Sequence, residues 1–139
     1  MKIALLSLFA LLSLSACKKT TVVNQTVNQA FSALYTINPT DWVQGNNQNG
    51  TTYFYTTLTV KELDAIINKS GGVNVYISFD GGTNYETLPE VIDGVAYGSL
   101  HTTGSVTIDL RGADGSSLTS AISTPITAKI VLIDAQPLD

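Results

Sequence analysis

The chain has 139 residues, of which 44% are hydrophobic and only 13% charged, and its net charge is −4. This length predicts a single domain rather than two. No basic residues cluster into a stripe that could follow a phosphate backbone, so we expect no nucleic acid partner.

The N-terminal segment begins with Lys2 and continues as an almost unbroken apolar run from Ile3 to Ala16. This run is too short for a membrane-spanning helix, which needs about 20 apolar residues. A charged start, a short apolar stretch and a small-residue exit are typical of a secretory signal peptide. The sequence therefore predicts that residues 1–16 direct export and are then removed.

The single cysteine, Cys17, directly follows Leu14-Ser15-Ala16. An aliphatic residue, two small residues and a cysteine resemble the lipobox of bacterial lipoproteins. The resemblance implies cleavage between Ala16 and Cys17, a diacylglyceryl group on the thiol and an acyl chain such as palmitate on the new amine. The residue types agree, because a lone thiol is a good nucleophile and cannot form an internal disulfide. An ordinary signal peptide that happens to end at a cysteine is the alternative.

Residues 17–29 are interpreted as the lipidated N-terminus followed by a polar tether, with a short strand as the alternative for its Val and Thr residues. Lys18 and Lys19 would lie among lipid headgroups. In bacterial lipoproteins an Asp after the cysteine marks the inner membrane. Since Lys18 takes that place, the resemblance implies the outer membrane. The segment also lacks the acidic residues of a surface-export signal, so we expect the domain to face the periplasm.

From residue 30 to residue 139 the dominant hydrophobic period is two, which is typical of half-buried β-strands. The sequence predicts strands at 31–37, 51–60, 72–80, 84–92, 104–112 and 124–135. Asp80 and the two glycines after it predict a hairpin loop. Pro89 predicts that its strand lies at an edge or is bent. The last strand is the most continuously apolar, which predicts that both of its faces are covered.

One segment, 59–72, breaks the period of two. Thr59 and Glu62 have the spacing of a capping box, and Gly71 and Gly72 provide a stop. The spacing of the apolar residues between them predicts a short helix near residues 60–69. Six or seven strands with one helix predict an all-β fold, an antiparallel β-sandwich of immunoglobulin-like or similar type over residues 30–139.

The residues that could carry chemistry are few. His101 is the only imidazole, and neither a nucleophile elbow nor a second metal ligand accompanies it, so it is predicted to be a loop residue. The Asp-Gly pairs at Asp80, Asp93 and Asp114 predict turns rather than calcium loops. We therefore expect no catalytic residue, no metal and no cofactor, which argues against an enzyme.

The aromatic residues form the candidate binding site. Trp42 lies in a polar stretch, and Tyr53, Tyr55 and Tyr76 are expected on outward faces of strands. Exposed rings of this kind stack on sugars or anchor a protein interface. In the alternative and favoured interpretation, Trp42 closes the end of the sandwich and the tyrosines stabilise the sheets through cross-strand contacts.

The layout from Trp42 onward is similar to that of a group of small, uncharacterised cell-envelope lipoproteins with a β-sandwich domain. It has an early Trp, then YFYTTLTV, ELDAIINKSGGVNVYISF and TLPEVI, and it ends in a hydrophobic strand. The resemblance brings no known activity or site residues. It implies a non-catalytic structural or protein-interaction module on the outer membrane, with a carbohydrate-binding domain as the alternative.

Overall fold

Two antiparallel sheets face each other in the computed structural model, which describes residues 29–135. The elements are β1 (Ala30–Ile37), a 3₁₀ turn (Pro39–Asp41), β2 (Val43–Asn46), β3 (Thr52–Thr59), α1 (Ala65–Ser70), β4 (Gly72–Ser78), β5 (Glu86–Thr87), β6 (Glu90–Ile92), β7 (Val95–Thr102), β8 (Ser105–Gly112) and β9 (Ile126–Ile133). The predicted all-β sandwich is confirmed. The signal peptide with Ala16, the lipidation residue Cys17 and the tether up to residue 28 lie outside the described residues.

The four-stranded sheet has the order β1-β9-β4-β5 and the five-stranded sheet has the order β2-β3-β8-β7-β6. Side chains alternate along a strand, so every second residue of the central strands points into the space between the sheets. Aliphatic side chains fill that space; the fully buried ones are Ile37, Val60, Leu63, Ile77, Val106, Ile108, Leu110, Ile126 and Ile130. One core is therefore shared by both sheets.

The predicted strand 84–92 is in fact two strands in different sheets. β5 pairs with β4, and β6 pairs with β7. Pro89 lies between them, and a proline has no N–H with which to continue a ladder. The predicted edge position is confirmed for both pieces, whereas the prediction of one continuous strand is wrong.

Two strands, β2 and β7, were not predicted, and His101 lies in β7 rather than in a loop. Near the C-terminal end of β7, polar side chains occupy the inward positions and an apolar side chain the outward one. Ser99 and His101 pair with the buried residues Ile108 and Val106 and yet are exposed, while Leu100 points outward. A strand with its polar residues in the inward positions has no recognisable period-two signal.

The helix α1 is shorter than predicted and begins later. Thr59 is the last residue of β3, so the predicted capping box is wrong. The N-cap is Asp64, whose Oδ1 accepts hydrogen bonds from the backbone N–H groups of Ile66 at 2.9 Å and Ile67 at 2.8 Å. One carboxylate thus satisfies two N–H groups that would otherwise lack partners.

The last strand, β9, is covered on one face only. Ile126, Ala128, Ile130 and Leu132 are buried, but the residues between them are half-buried. The prediction that both faces are covered is therefore wrong. Within residues 29–135 no second layer lies over the outward face of the four-stranded sheet, and the hydrocarbon stem of Lys129 shields part of it.

The sandwich has two distinct ends. The backbone N–H of Asp134 donates to the carbonyl of Gln29 at 2.9 Å, so the described chain begins and finishes at one end, next to α1. We call this the N-terminal end. Loops 47–51, 79–85, 93–94 and 113–125 lie at the opposite end, which we call the loop end. No helix within residues 29–135 is both long and apolar enough to span a bilayer.

Candidate functional site

The outward face of the five-stranded sheet carries a cluster of Tyr53 and Tyr55 from β3 with Asp109 and Arg111 from β8. We call it the tyrosine–arginine patch. Its orientation follows from strand alternation, because the residue between the two tyrosines, Phe54, pairs with buried Leu110 on the inner side. The same register places Tyr55 directly opposite Asp109.

Contacts within the patch hold its side chains in one arrangement. The rings of Tyr53 and Tyr55 have centroids 5.9 Å apart and are inclined at 35°. The guanidinium carbon of Arg111 lies 4.7 Å from the centroid of the Tyr53 ring, and Arg111 Nε donates to Asp109 Oδ2. Cation–π contact and ion pairing thus fix the arginine over one ring.

The two side chains of the ion pair are buried to different extents. The side chain of Asp109 is 12% exposed, whereas that of Arg111 is 51% exposed. A carboxylate this buried on an outward sheet face is unusual, since aspartates are rarely buried unless they are paired. A guanidinium has five N–H donors, and the ion pair with Asp109 uses the one on Nε of the half-exposed Arg111 side chain.

Two glycines on neighbouring strands make room for the patch. Gly45 pairs with Tyr53, and Gly98 pairs with Asp109. A Cβ atom on Gly45 would lie 2.6 Å from Cζ of Tyr53, and one on Gly98 would lie 2.7 Å from Oδ1 of Asp109. Both distances are far shorter than van der Waals contact, so a side chain at either position would displace the ring or the carboxylate.

The patch lies between two depressions. A cleft of about 90 Å³ is bounded by Asn47, Thr52, Tyr53 and Arg111 among others, and a shallower depression of about 400 Å³ lies beside Tyr55. The combination of an aromatic platform with amide, hydroxyl and guanidinium groups can stack on one face of a sugar ring and bind its hydroxyls.

Trp42 is not part of this face. It is only 8% exposed and belongs to the hydrophobic core, and its Nε1 has no hydrogen-bond partner in the described part of the chain. The preceding turn, Pro39–Asp41, carries the chain from one sheet to the other. The prediction of an exposed Trp42 that stacks on sugars is therefore wrong, because the ring packs in the hydrophobic core.

Tyr76 also lies apart from the patch. It points outward from β4 in the other sheet, so the core separates it from Tyr53. The ammonium of Lys129 lies 4.6 Å from the centroid of the Tyr76 ring and 3.9 Å from that of Tyr85. The predicted site residues thus divide into three places, and only Tyr53 and Tyr55 come together.

Asp109, Arg111, Gly45 and Gly98 were not predicted as site residues. The alternation of Asp109 and Arg111 with Ile108 and Leu110 shows that both face outward. No pattern in the neighbouring sequence shows that they lie against Tyr53 and Tyr55, because that contact depends on how β3 pairs with β8.

His101 forms a hydrogen bond with a residue of the helix. Its Nδ1 lies 2.9 Å from Oδ1 of Asn68, a hydrogen bond that connects β7 to α1. Across residues 29–135, no three His, Cys, Asp or Glu side chains come together in a way that could hold a metal ion.

Asp80 organises the loop after β4. Its carboxylate accepts hydrogen bonds from the backbone N–H of Asn84 at 2.9 Å, from the Ser78 hydroxyl at 2.7 Å, from the side-chain amide of Asn84 at 2.7 Å and from the backbone N–H of Thr83 at 3.0 Å. These bonds, of which the one from the backbone N–H of Asn84 contributes most, lower the pKa of Asp80 to about 2 from an ordinary 3.8. The predicted turn is confirmed, with Gly81 and Gly82 at φ of 70° and 94°.

The Asp80 loop predicts a pH dependence of stability. Because the pKa is depressed in the folded chain, its contribution is complete above the ordinary value of 3.8 and is lost as the pH falls towards about 2. We expect Asp80→Asn to destabilise the domain at pH 7 and to match the parent at pH 2, as measured by urea unfolding. Asp93→Asn is the control, since the Asp93 side chain accepts no hydrogen bond in the described structure. If the free energies of unfolding of the Asp80→Asn variant and the parent differed by the same amount at every pH, the lowered pKa of Asp80 would be contradicted.

Comparison with known proteins identifies no relative of this chain. No model of a protein family matches the chain, and neither the curated proteins nor the solved structures include a significant match.

Proposed function

We propose that the protein is a cell-envelope lipoprotein, anchored in the outer membrane by acylated Cys17 with its domain facing the periplasm. Its role is non-catalytic: the β-sandwich binds another component of the envelope. The observation that carries this proposal is the contiguous order of an apolar leader, Leu14-Ser15-Ala16 and the lone Cys17. Two or three acyl chains on one residue give stable attachment, whereas a single chain binds only marginally.

The position of the chain's entry into the domain agrees with this role. Gln29 lies at the N-terminal end of the sandwich, and the 11 residues from Lys18 to Asn28 precede it. An extended segment of that length reaches at most about 40 Å. The tether therefore keeps the domain within reach of the membrane while leaving the outward sheet faces and the loop end available to partners.

The proposal is tested on native protein isolated from its own cells. We expect mass spectrometry to find a mature chain that starts at Cys17 and carries diacylglyceryl and acyl groups, and density-gradient centrifugation to place it with outer-membrane markers. Cross-linking in intact cells should capture a defined envelope partner. A mature start at any other residue, or an intact leader, would refute the anchor.

Carbohydrate binding is the second candidate function, and the tyrosine–arginine patch favours it. Tyr53 and Tyr55 present adjoining rings on an outward face, and Arg111 adds charged donors beside them. The cell envelope is rich in glycans, so a lipid-anchored domain would meet them. Trp42 has no part in this version of the site, because it is buried.

We expect Tyr53→Ala and Tyr55→Ala each to weaken binding of a glycan ligand about 2- to 13-fold, since each removes one stacking surface worth roughly 0.5–1.5 kcal/mol. The parent protein is first applied to a glycan array, and the dissociation constant of the strongest hit is then measured by calorimetry. Tyr76→Ala is the matched control, because it removes a half-buried outward tyrosine from the other sheet. An array without hits, or equal binding by all three variants, would remove this candidate.

A further inference from the structure

The outer edge of β1 is the longest edge without a partner strand among the described strands. The other edge strands, β2, β5 and β6, have four, two and three residues, whereas β1 has eight. Its sequence, AFSALYTI, has no charge and no proline. Natural proteins usually blunt such edges with charges, prolines or bulges, because an open edge pairs readily with another strand.

The backbone groups that face this edge can be identified. The bond from Asp134 N–H to the carbonyl of Gln29 marks these two opposed residues as a hydrogen-bonded pair. Hydrogen-bonded pairs alternate along an antiparallel ladder, so the odd-numbered residues of β1 bond to β9. The N–H and C=O groups that point away from β9 are those of Ala30, Ser32, Leu34 and Thr36. Within residues 29–135 no strand lies beside them.

Apolar surface accompanies the open edge on both of its faces. Leu34 is 65% exposed on the outward face of β1. On the inward face Phe31 is 41% exposed and, with Ala33, Val60 and Leu132, lines a mainly apolar groove of about 230 Å³ that lies between the sheets beside β1 and also includes Glu62. A strand added here would satisfy the free backbone groups and cover both apolar areas.

We propose that β1 pairs antiparallel with β1 of a second copy of this chain, with Ala33 beside the two-fold axis. This register opposes Ala30 to Thr36 of the second copy and Ser32 to Leu34 of the second copy. It is the centred register that satisfies all of the outward N–H and C=O groups. The two four-stranded sheets become one continuous sheet, and the grooves of the two copies face each other.

Side-chain chemistry supports pairing with an identical strand. Phe31 lies opposite Tyr35 of the second copy on the inner face, and cross-strand aromatic pairs are stabilising. Leu34 comes within diagonal reach of Leu34 of the second copy on the outer face. The chain carries a net charge of −4, yet β1 has no charged residue, so the pairing brings no like charges together along the strand, and Glu62 is the one charged residue that lines the groove.

The chain that precedes the domain permits this geometry. Antiparallel pairing places the two Gln29 residues about 27 Å apart, at opposite ends of the paired strands. Each Gln29 is preceded by the 11 residues from Lys18 to Asn28, which span up to about 40 Å when extended. Both copies can therefore reach one membrane when the paired strands lie parallel to its surface.

This inference deepens the proposed function because it names the partner as a second copy of the chain. The arrangement of the dimer on a membrane rests on the proposed lipid anchor. The pairing itself needs no lipid, so it is tested in the full chain with Cys17→Ala, in which an added cysteine is the only thiol. Failure of the anchor and failure of the pairing are then separate results.

The test is disulfide cross-linking of the purified full chain with copper phenanthroline. Ala33→Cys places two thiols on directly opposed residues, about 4.5 Å apart between Cα atoms, which is within the range of a disulfide. Thr36→Cys, the control on the same strand, places them about 20 Å apart. We expect a covalent dimer that reduction dissociates from the first variant and none from the second. Equal cross-linking of both, or no dimer from folded Ala33→Cys protein, would overturn the proposal.

A charge at the edge provides a second test that needs no disulfide. Leu34→Lys puts two ammonium groups within diagonal reach of each other and removes apolar surface. We expect sedimentation velocity to show a dimer for the parent and at least about a tenfold weaker dimer for this variant. Val43→Lys, at another exposed apolar residue that lies on the other sheet, should leave the dimer unchanged. A monomeric parent, or equal weakening by both variants, would contradict the pairing.

Discussion

Replacement of Cys17 by alanine should release the protein from the membrane fraction almost completely. Each acyl methylene buried in the bilayer contributes about 0.8 kcal/mol, so two or three chains on Cys17 make attachment effectively permanent. The alanine variant has no thiol to receive the diacylglyceryl group. We expect palmitate labelling to disappear and the membrane-bound share, measured by fractionation and immunoblotting, to fall at least about tenfold.

Lys18→Ala is the matched control for this experiment. It changes the next residue and removes one positive charge, but it leaves Leu14-Ser15-Ala16 and the thiol of Cys17 in place. An exposed lysine near anionic lipid contributes only about 1 kcal/mol, so the control should remain labelled and bound. Equal labelling of the Cys17→Ala variant and the parent would show that the lipid is attached elsewhere or not at all.

Replacement of Trp42 by alanine should cause the largest loss of folding stability. The side chain is 8% exposed and packs in the core that both sheets share. Truncation of a buried aromatic residue to alanine typically destabilises a domain by about 3–5 kcal/mol. Total stability is only about 5–15 kcal/mol, so we expect Tm to fall by roughly 12–20 °C in calorimetry or by circular dichroism.

Two further substitutions make the Trp42 experiment specific. Trp42→Phe keeps most of the ring volume and removes an indole N–H that has no partner in the described structure, and such a buried donor costs about 1–3 kcal/mol. It should therefore be much milder than the alanine variant. Val43→Ala, at a half-exposed neighbour, should change stability by about 0.5 kcal/mol or less. If Trp42→Ala proved as mild as Val43→Ala, the ring would not be packed in the core.

Several features could be predicted because they depend on neighbours in the chain. The period of two along 51–60, 72–80 and 104–112 follows from backbone geometry, which turns successive side chains to opposite faces. The turns at Asp80 and Asp93 follow from the preference of Asp and Gly for these conformations. The helix bounds were wrong because two N-cap candidates compete within a few residues, and the carboxylate of Asp64 caps better than the hydroxyl of Thr59 would.

The all-β class, the outward positions of Tyr53 and Tyr55 and the prediction of a lipid at Cys17 follow from the sequence alone, since each depends on a short contiguous pattern. The folded arrangement is needed to show that Trp42 is buried, that Tyr76 lies on the other sheet and that Arg111 covers Tyr53. It also shows that no strand within residues 29–135 pairs with the outer edge of β1. Strand order and register result from pairing between segments distant in the chain, and no local period of side chains encodes which strands become neighbours.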